Sequence, residues 1–364
     1  SRGQGIKVTS VVSKICHDKK TKMPTLLKKK TNHGSFEGAI VLEPSPGMYL
    51  EDPIAVLDFA SLYPSCIIEK NCSHETQIKD VHYIQKLQEE KRLDTMCNRI
   101  EYDNYKYVKT SETSQTLKKV KDEENPTTVC YFVKSERDET GEIVKETMGI
   151  LPTVLNHLLS SRKKVKKLMA KEKNGDKKKV LDGLQLAYKV TANSVYGQLG
   201  AEVGDIFELS IAASTTSIGR EHIYDAKRGV MEWAEKNEKL PPEIIYGDTD
   251  SVFVKFSRQE KDGTEYKGVE ALKYCIQCGI EAGEYITQTI LEKPQDLEYE
   301  KTFFPFVLLS KKRYIGDKYE TIQDAETKNY KRTSMGIVMK RRDNAPIVKY
   351  VFGNIIEKLL IEKN

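Results

Sequence analysis

The sequence predicts an α+β fold, an antiparallel sheet backed by helices with an antiparallel helical hairpin inserted. Three observations carry this. Glu243–Tyr246 and Ser251–Phe256 are strand-like runs on either side of a Gly-Asp turn, which reads as a tight hairpin. Ile54–Leu57 and the segments 297–301, 305–310 and 313–315 supply further strands. Two long helical segments, 153–173 and 177–198, are separated only by Asn174-Gly175-Asp176, and helices joined by so short a loop pack antiparallel.

In chain order, residues 1–50 read as a mixed lead-in with a loose Lys/Thr-rich stretch near 18–32. Ile54-Ala55-Val56-Leu57 is a buried-type strand that delivers Asp58 at its end, and Pro64 enforces a sharp exit. Residues 77–148 are charged, tyrosine-dotted and poor in apolar periodicity. They read as an excursion with one short hairpin near Tyr131–Val144, turned at Glu139-Thr140-Gly141. Gly149-Ile-Leu-Pro152 opens the first helix of the hairpin. Residues 205–235 read as a longer helix after a short strand, with Trp233 near its end. Another helix spans 266–290, and 345–363 begins a further helical region. There are no internal repeats.

The 364 residues are 38% hydrophobic and 31% charged, enough for a core split over two or three substructures. The net charge of +5 is a weak sign by itself, but the cations cluster. Arg162, Lys163, Lys164, Lys166, Lys167, Lys171, Lys173 and Lys177–Lys179 form one group, and 311–313 and 340–342 are each three consecutive cations. Such clusters could line one groove. The seven cysteines, an odd count without a secretory signal, point to a reducing compartment. Cys275-Ile-Gln-Cys278 is a lone CxxC in a helical context and reads as a packed pair rather than a zinc site. The histidines do not cluster, and no apolar run is long enough for a membrane span. The chain opens on Ser and ends mid-helix, so a fragment of something longer is expected.

The chemistry concentrates in Tyr246-Gly247-Asp248-Thr249-Asp250-Ser251. Residues two apart in extended chain share a face, so Asp248 and Asp250 could point into one space and suit a hard divalent cation. The plain alternative is a polar turn. Asp58, at the end of a core strand, is the expected partner, with an N-cap role as its alternative. Lys189, Asn193 and Tyr196 share one helical face that is cationic, polar and aromatic together. Arg162 and Lys166 are likewise one turn apart, and a solvated basic face is the alternative there.

These residues carry a family resemblance. DFASLYPS at 58–65, KVTANSVYG at 189–197 and YGDTDSVF at 246–253 resemble motifs A, B and C of the family B (alpha-like) DNA polymerases. Lys311-Lys312-Arg313-Tyr314 resembles that family's KKRY motif, and Phe36-Glu37-Gly38 its template-contacting element. RGQGIKV near the start and KRRDNAPIVKY at 340–350 resemble the delta-type and large DNA virus branch. The text around Asn71-Cys-Ser-His-Glu75 and Arg341-Arg-Asp-Asn344 is most similar to viruses of algae and protists. The excursion at 77–148 is longer than the corresponding region of cellular delta-type relatives.

The resemblance implies a segmental plan: lead-in 1–50, palm 51–148, fingers 149–198, palm again 199–340, and the start of a thumb at 341–364. It implies DNA-directed DNA synthesis by nucleotidyl transfer with two Mg²⁺ ions, Mn²⁺ being an alternative. Asp58 and Asp250 would bridge both ions, the Phe59 carbonyl would complete the sphere, and Asp248 would be a weaker ligand near the primer. Arg162, Lys166 and Lys189 would converge on the triphosphate, with Lys189 also the proton donor to pyrophosphate. Ser61, Leu62 and Tyr63 would line the nucleotide site, Tyr63 rejecting a 2′-hydroxyl by clash. Asn193 and Tyr196 would flank the nascent base pair. Phe36, Gly38, Gly197, Thr249, Lys311, Lys312, Arg313 and Tyr314 would contact DNA. Partners would be primer–template DNA, deoxynucleoside triphosphates and a processivity factor, with no membrane. The setting would be the host nucleus or a cytoplasmic viral replication site. An inactive polymerase-like scaffold and a protein-primed enzyme are the alternatives.

Overall fold

The computed structural model describes residues 2–23, 35–109, 117–202, 204–337, 345–358 and 360. Along the chain run α1 (Arg2–Asp18), β1 (Ser35–Phe36), β2 (Val41–Leu42), β3 (Gly47–Tyr49), β4 (Ile54–Phe59) and α2 (Leu62–Glu69). Then come β5 (Gln77–Ile78), α3 (Val81–Glu89), α4 (Leu93–Met96), β6 (Cys97–Lys109), β7 (Leu117–Lys121) and β8 (Thr127–Val133). The helices α5 (Ile150–Lys171), α6 (Gly175–Leu199) and α7 (Leu209–Lys236) follow, then β9 (Glu243–Asp248), β10 (Ser251–Lys255) and α8 (Gly268–Thr289). The chain continues through β11 (Leu297–Ser310), β12 (Arg313–Tyr319), α9 (Ile322–Thr327), β13 (Lys331–Met335) and α10 (Pro346–Glu357).

Two compact units result. The first comprises Ser1–Gly38, Ser61–Gly219 and Glu292–Pro294, and the second Ala39–Ala60, Arg220–Leu291 and Gln295–Asn364. These limits cut across the segments expected from sequence, because 61–148 groups with the helical hairpin rather than with β4.

The second unit is built on an eight-stranded sheet of order β13-β12-β11-β4-β10-β9-β2, with β3 on β11. The pairings within it are antiparallel. β4 sits centrally and is buried at every position except Asp58, which is half-buried. Ile54, Val56, Tyr246, Phe253, Phe303 and Phe306 form one core cluster, with the Tyr314 ring packed against it. Alternate residues face α8, where a side chain on Gly279 would meet Tyr299 at 2.8 Å and Ala55 at 3.3 Å. β11 is one long strand where two were expected. Its ladder shifts between Phe303 and Phe306, because Pro305 has no N–H to donate.

In the first unit, α5 and α6 form the expected helical hairpin. Asn174 caps α6 rather than simply breaking the chain, accepting from the Asp176 and Lys177 N–H groups at 3.0 and 3.1 Å. The start of α5 is capped from a distance. Gly149 N–H donates to Asn71 at 2.8 Å, Ile150 N–H to Glu75, and Leu151 N–H to Ser73 at 3.2 Å. A side chain on Gly149 would collide with Ser73 Cβ at 2.8 Å, so glycine permits this close approach.

Several expectations need correction. The lead-in contains α1. The excursion is a sheet of order β1-β6-β8-β5 with β7 on β6, not one hairpin. Its apolar alternation is brief, Ile100 and Tyr102 against Cys130 and Phe132, and charged residues between them hid it. The expected turn at 139–141 does exist, closed by an isolated bridge between Arg137 and Ile143. The short strand expected just before α7 is absent: among the described residues none lies between α6 and α7. The Lys/Thr-rich stretch beyond 23, the cations at 340–342 and the Arg341–Asn344 text lie outside the described residues.

Candidate active site

In the second unit, register brings the acidic motifs into one row. Ser251 of β10 pairs with Asp58 of β4 on one side and with Asp248 of β9 on the other. Directly paired residues of antiparallel strands share a face, so Asp58, Ser251 and Asp248 do. Asp250 lies at the tip of the β9–β10 hairpin, where Thr249 has φ 58. Extended-chain alternation between Asp248 and Asp250 therefore does not apply, because the chain reverses between them. Instead Asp250 is tied to the Asp58 strand through the backbone: Phe59 N–H donates to the Asp250 carbonyl at 2.8 Å. Thr249 N–H donates to Ile40 O at 3.1 Å and the Ser251 hydroxyl to Asp248 O at 3.2 Å, which fixes the tip.

Gly247 explains itself in this packing. A Cβ there would stand 2.7 Å from Leu42 Cδ1 and 3.2 Å from Ser251 O. The β11–β12 hairpin ends similarly, with Lys312 at φ 57 in its turn. Lys312 N–H donates to the hydroxyl of the fully buried Tyr246 at 2.9 Å. Burial pushes the Tyr246 phenol up to about 12, so the hydroxyl stays neutral. Lys312 Nζ lies 2.8 Å from Asp248 Oδ1, and Lys311 pairs with Glu43. Arg313 is exposed, and Tyr314 is half-buried against Phe253 and Phe306 at 5.5 and 5.6 Å between ring centres.

The donor set is hard oxygen on rigid strands, which suits Mg²⁺ or Mn²⁺. Among the described residues no three His, Cys, Asp or Glu side chains lie close enough to hold an ion alone. Mg²⁺ commonly takes one or two carboxylates and completes its sphere from water and phosphate, so this set fits it.

In the first unit, Ser61 adopts φ 60 ahead of α2, whose first turn carries Leu62, buried, and Tyr63, half-buried. The Tyr63 and Tyr196 rings stand 4.5 Å apart between centres, tilted by 41°. Lys189, Asn193 and Gly197 form an exposed stripe on α6, one residue every turn. Arg162 on α5 reaches Gln185 on α6 at 3.3 Å, and Lys166, a turn further, is exposed. The carboxylates thus belong to one unit and the hairpin cations to the other. Phe36 lies on β1 in the first unit, just before Gly38.

The family model for DNA polymerase family B matches residues 1–364. The chain belongs to that family. It is 38% identical to a DNA polymerase of Pyramimonas orientalis virus, over all of this chain and 31% of that protein. It is 37% identical to a DNA polymerase of Phaeocystis pouchetii virus, over 84% of this chain and 30% of that one. It is also 37% identical to the DNA polymerase delta catalytic subunit of Candida albicans, over all of this chain and 30% of that one. The chain thus spans about a third of the length of the curated relatives it matches.

A further carboxylate, not singled out from the sequence, stands beside Asp58. Glu298 of β11 pairs with Asp58 on the side away from Ser251 and so joins the same row. Its signal was the alternation Leu297-Glu298-Tyr299-Glu300, which marks one face without saying which strand it meets. The CxxC reading stands: Cys275 and Cys278 are buried and unbridged, and burial pushes the Cys278 thiol up to about 12.

Proposed function

We propose that this chain carries the nucleotidyl-transfer centre of a DNA-directed DNA polymerase, extending a primer 3′-hydroxyl on a DNA template. The observation that supports it most is the row Asp58–Ser251–Asp248 across three adjacent strands, with Asp250 bonded to the Phe59 N–H. Asp58 and Asp250, with the Phe59 carbonyl, are the groups that would hold Mg²⁺. When bound, the ions supply charge stabilisation of the attacking and leaving oxygens.

The remaining work falls to this chain's own side chains. Arg162, Lys166 and Lys189 bind the triphosphate, and Lys189 gives a proton to the departing pyrophosphate. Tyr63 lies beneath the sugar and leaves no room for a 2′-hydroxyl, and Asn193 and Tyr196 flank the new base pair. Lys312 lies beside Asp248, where a primer end would contact both. The longer protein would act in viral genome replication, in the nucleus or a cytoplasmic replication site, with a processivity factor. The two viral relatives support that setting.

Extension of a labelled primer with Mg²⁺ and deoxynucleoside triphosphates tests the reading. Asp58→Ala or Asp250→Ala should abolish extension and leave primer–template binding within about twofold. Near-normal extension by either variant would overturn the assignment.

A further inference from the structure

The ribbon formed by β6 and β7 has no part in the chemistry above. Register divides its side chains cleanly. Tyr105 pairs with Lys121, Tyr107 with Lys119 and Lys109 with Leu117, so these six share one face. Lys106 with Val120 and Val108 with Lys118 make up the other. Residues 105–121 contain five lysines against one glutamate. On the first face, Lys121 is paired with Asp103 at 3.0 Å near the base of the ribbon. Farther out, Lys119 Nζ lies 5.1 Å from the centre of the Tyr105 ring, and the Tyr107 ring is 56% exposed beside it. On the second face, Lys106 is neutralised by Asp122 at 3.2 Å. One face thus interleaves rings with cations, and the other carries no ring.

The ribbon is also tied to β1. Ser35 pairs with Tyr105 and Phe36 with Asn104, and the Lys119 ammonium donates to the Phe36 carbonyl while lying 6.0 Å over the Phe36 ring. The aromatic and cationic face therefore adjoins the Phe36–Gly38 segment.

We propose that the Tyr105, Tyr107, Lys109 and Lys119 face of this ribbon binds single-stranded DNA, the unpaired template strand. Exposed bases stack on tyrosine rings, and the lysines neutralise the phosphates between them. Duplex DNA offers phosphates but no free base faces, so the rings give the single strand its advantage. Naming the strand as template rests on the polymerase reading; binding itself does not.

The test uses the full chain and a fluorescent oligo(dT), with a hairpin duplex of equal phosphate count as comparison. Tyr107→Ser should weaken oligo(dT) binding about tenfold and leave duplex binding within twofold. Lys109→Gln should lower the log–log salt slope for oligo(dT) by about 0.7. Lys106→Gln with Lys118→Gln, on the opposite face, should lose less than either. Equal losses from both faces, equal losses for single strand and duplex, or unchanged binding would each overturn the proposal. Primer extension is read separately: a chain that extends no primer while Tyr107→Ser still weakens oligo(dT) binding would fail the polymerase reading and keep this one.

Discussion

Lys312 and Asp248 form an ion pair across two hairpins, with Nζ 2.8 Å from Oδ1. The lysine side chain is 54% exposed and the aspartate only 12%. The turn conformation of Lys312 and its N–H bond to Tyr246 hold the ammonium in place. A cation expected to grip the duplex is thus built against a carboxylate of the row proposed to be catalytic. A double-mutant cycle with Lys312→Ala and Asp248→Asn, read by urea unfolding, should give a coupling of about 0.5–1 kcal/mol. Lys312→Ala should also flatten the salt slope of primer–template binding by about one unit. Strict additivity would show that the pair is not held in solution.

The Tyr63 and Tyr196 rings are in contact, so if Tyr63 rejects a 2′-hydroxyl as proposed, both residues should bear on sugar choice. Tyr63→Val should raise kcat/KM for ribonucleotides far more than it changes that for deoxynucleotides. Tyr196→Leu should shift the same ratio in the same direction, less strongly, because Tyr63 loses its support. A ratio unmoved by both substitutions would reduce the pair to core packing.

His74 gives the chain a pH-dependent stability. Burial holds its imidazole below the ordinary histidine value, against the pull of Glu208 and Glu75, and its buried Nε2 has no hydrogen-bond partner among the described residues. The unfolded chain therefore binds a proton that the folded chain refuses. Stability should be complete above about pH 6.5 and fall as pH drops from there towards the lowered folded value. Urea midpoints across pH 5–8 for the chain and for His74→Gln measure this. Identical slopes would remove His74 as the cause.

Glycines at two positions should respond oppositely to alanine. Gly247→Ala places a methyl group against Ser251 O, which cannot swing away as Leu42 can. A loss of about 1–3 kcal/mol is expected, together with reduced extension, because the row register shifts. Gly183 on α6 has open space around its missing Cβ, and Gly183→Ala should stabilise by about 0.5–1 kcal/mol. Urea unfolding of both variants decides whether close approach or helix propensity governs each position.

Sequence alone determined the strongly periodic and strongly punctuated parts. The helical hairpin was legible because its apolar spacing and the Asn174 punctuation are local signals, and observed limits lie within about three residues of those expected. The β9–β10 hairpin was legible for the same reason, as was Asp58 at the end of an unbroken apolar strand. Tertiary structure decided the rest. Pairing register is a relation between distant segments, so no local pattern could put Glu298 beside Asp58 or Lys312 against Asp248. The left-handed conformation of Thr249 reversed the chain where alternation suggested continuity. The β6–β8 sheet was hidden because its strands bury only alternate residues among charges, and α1 because glycines and β-branched residues weaken the helical signal that docking onto α5 and α6 overrides. Local free energies select which segments are helices or strands; long-range packing selects which side chains meet, and chemistry depends on the meeting.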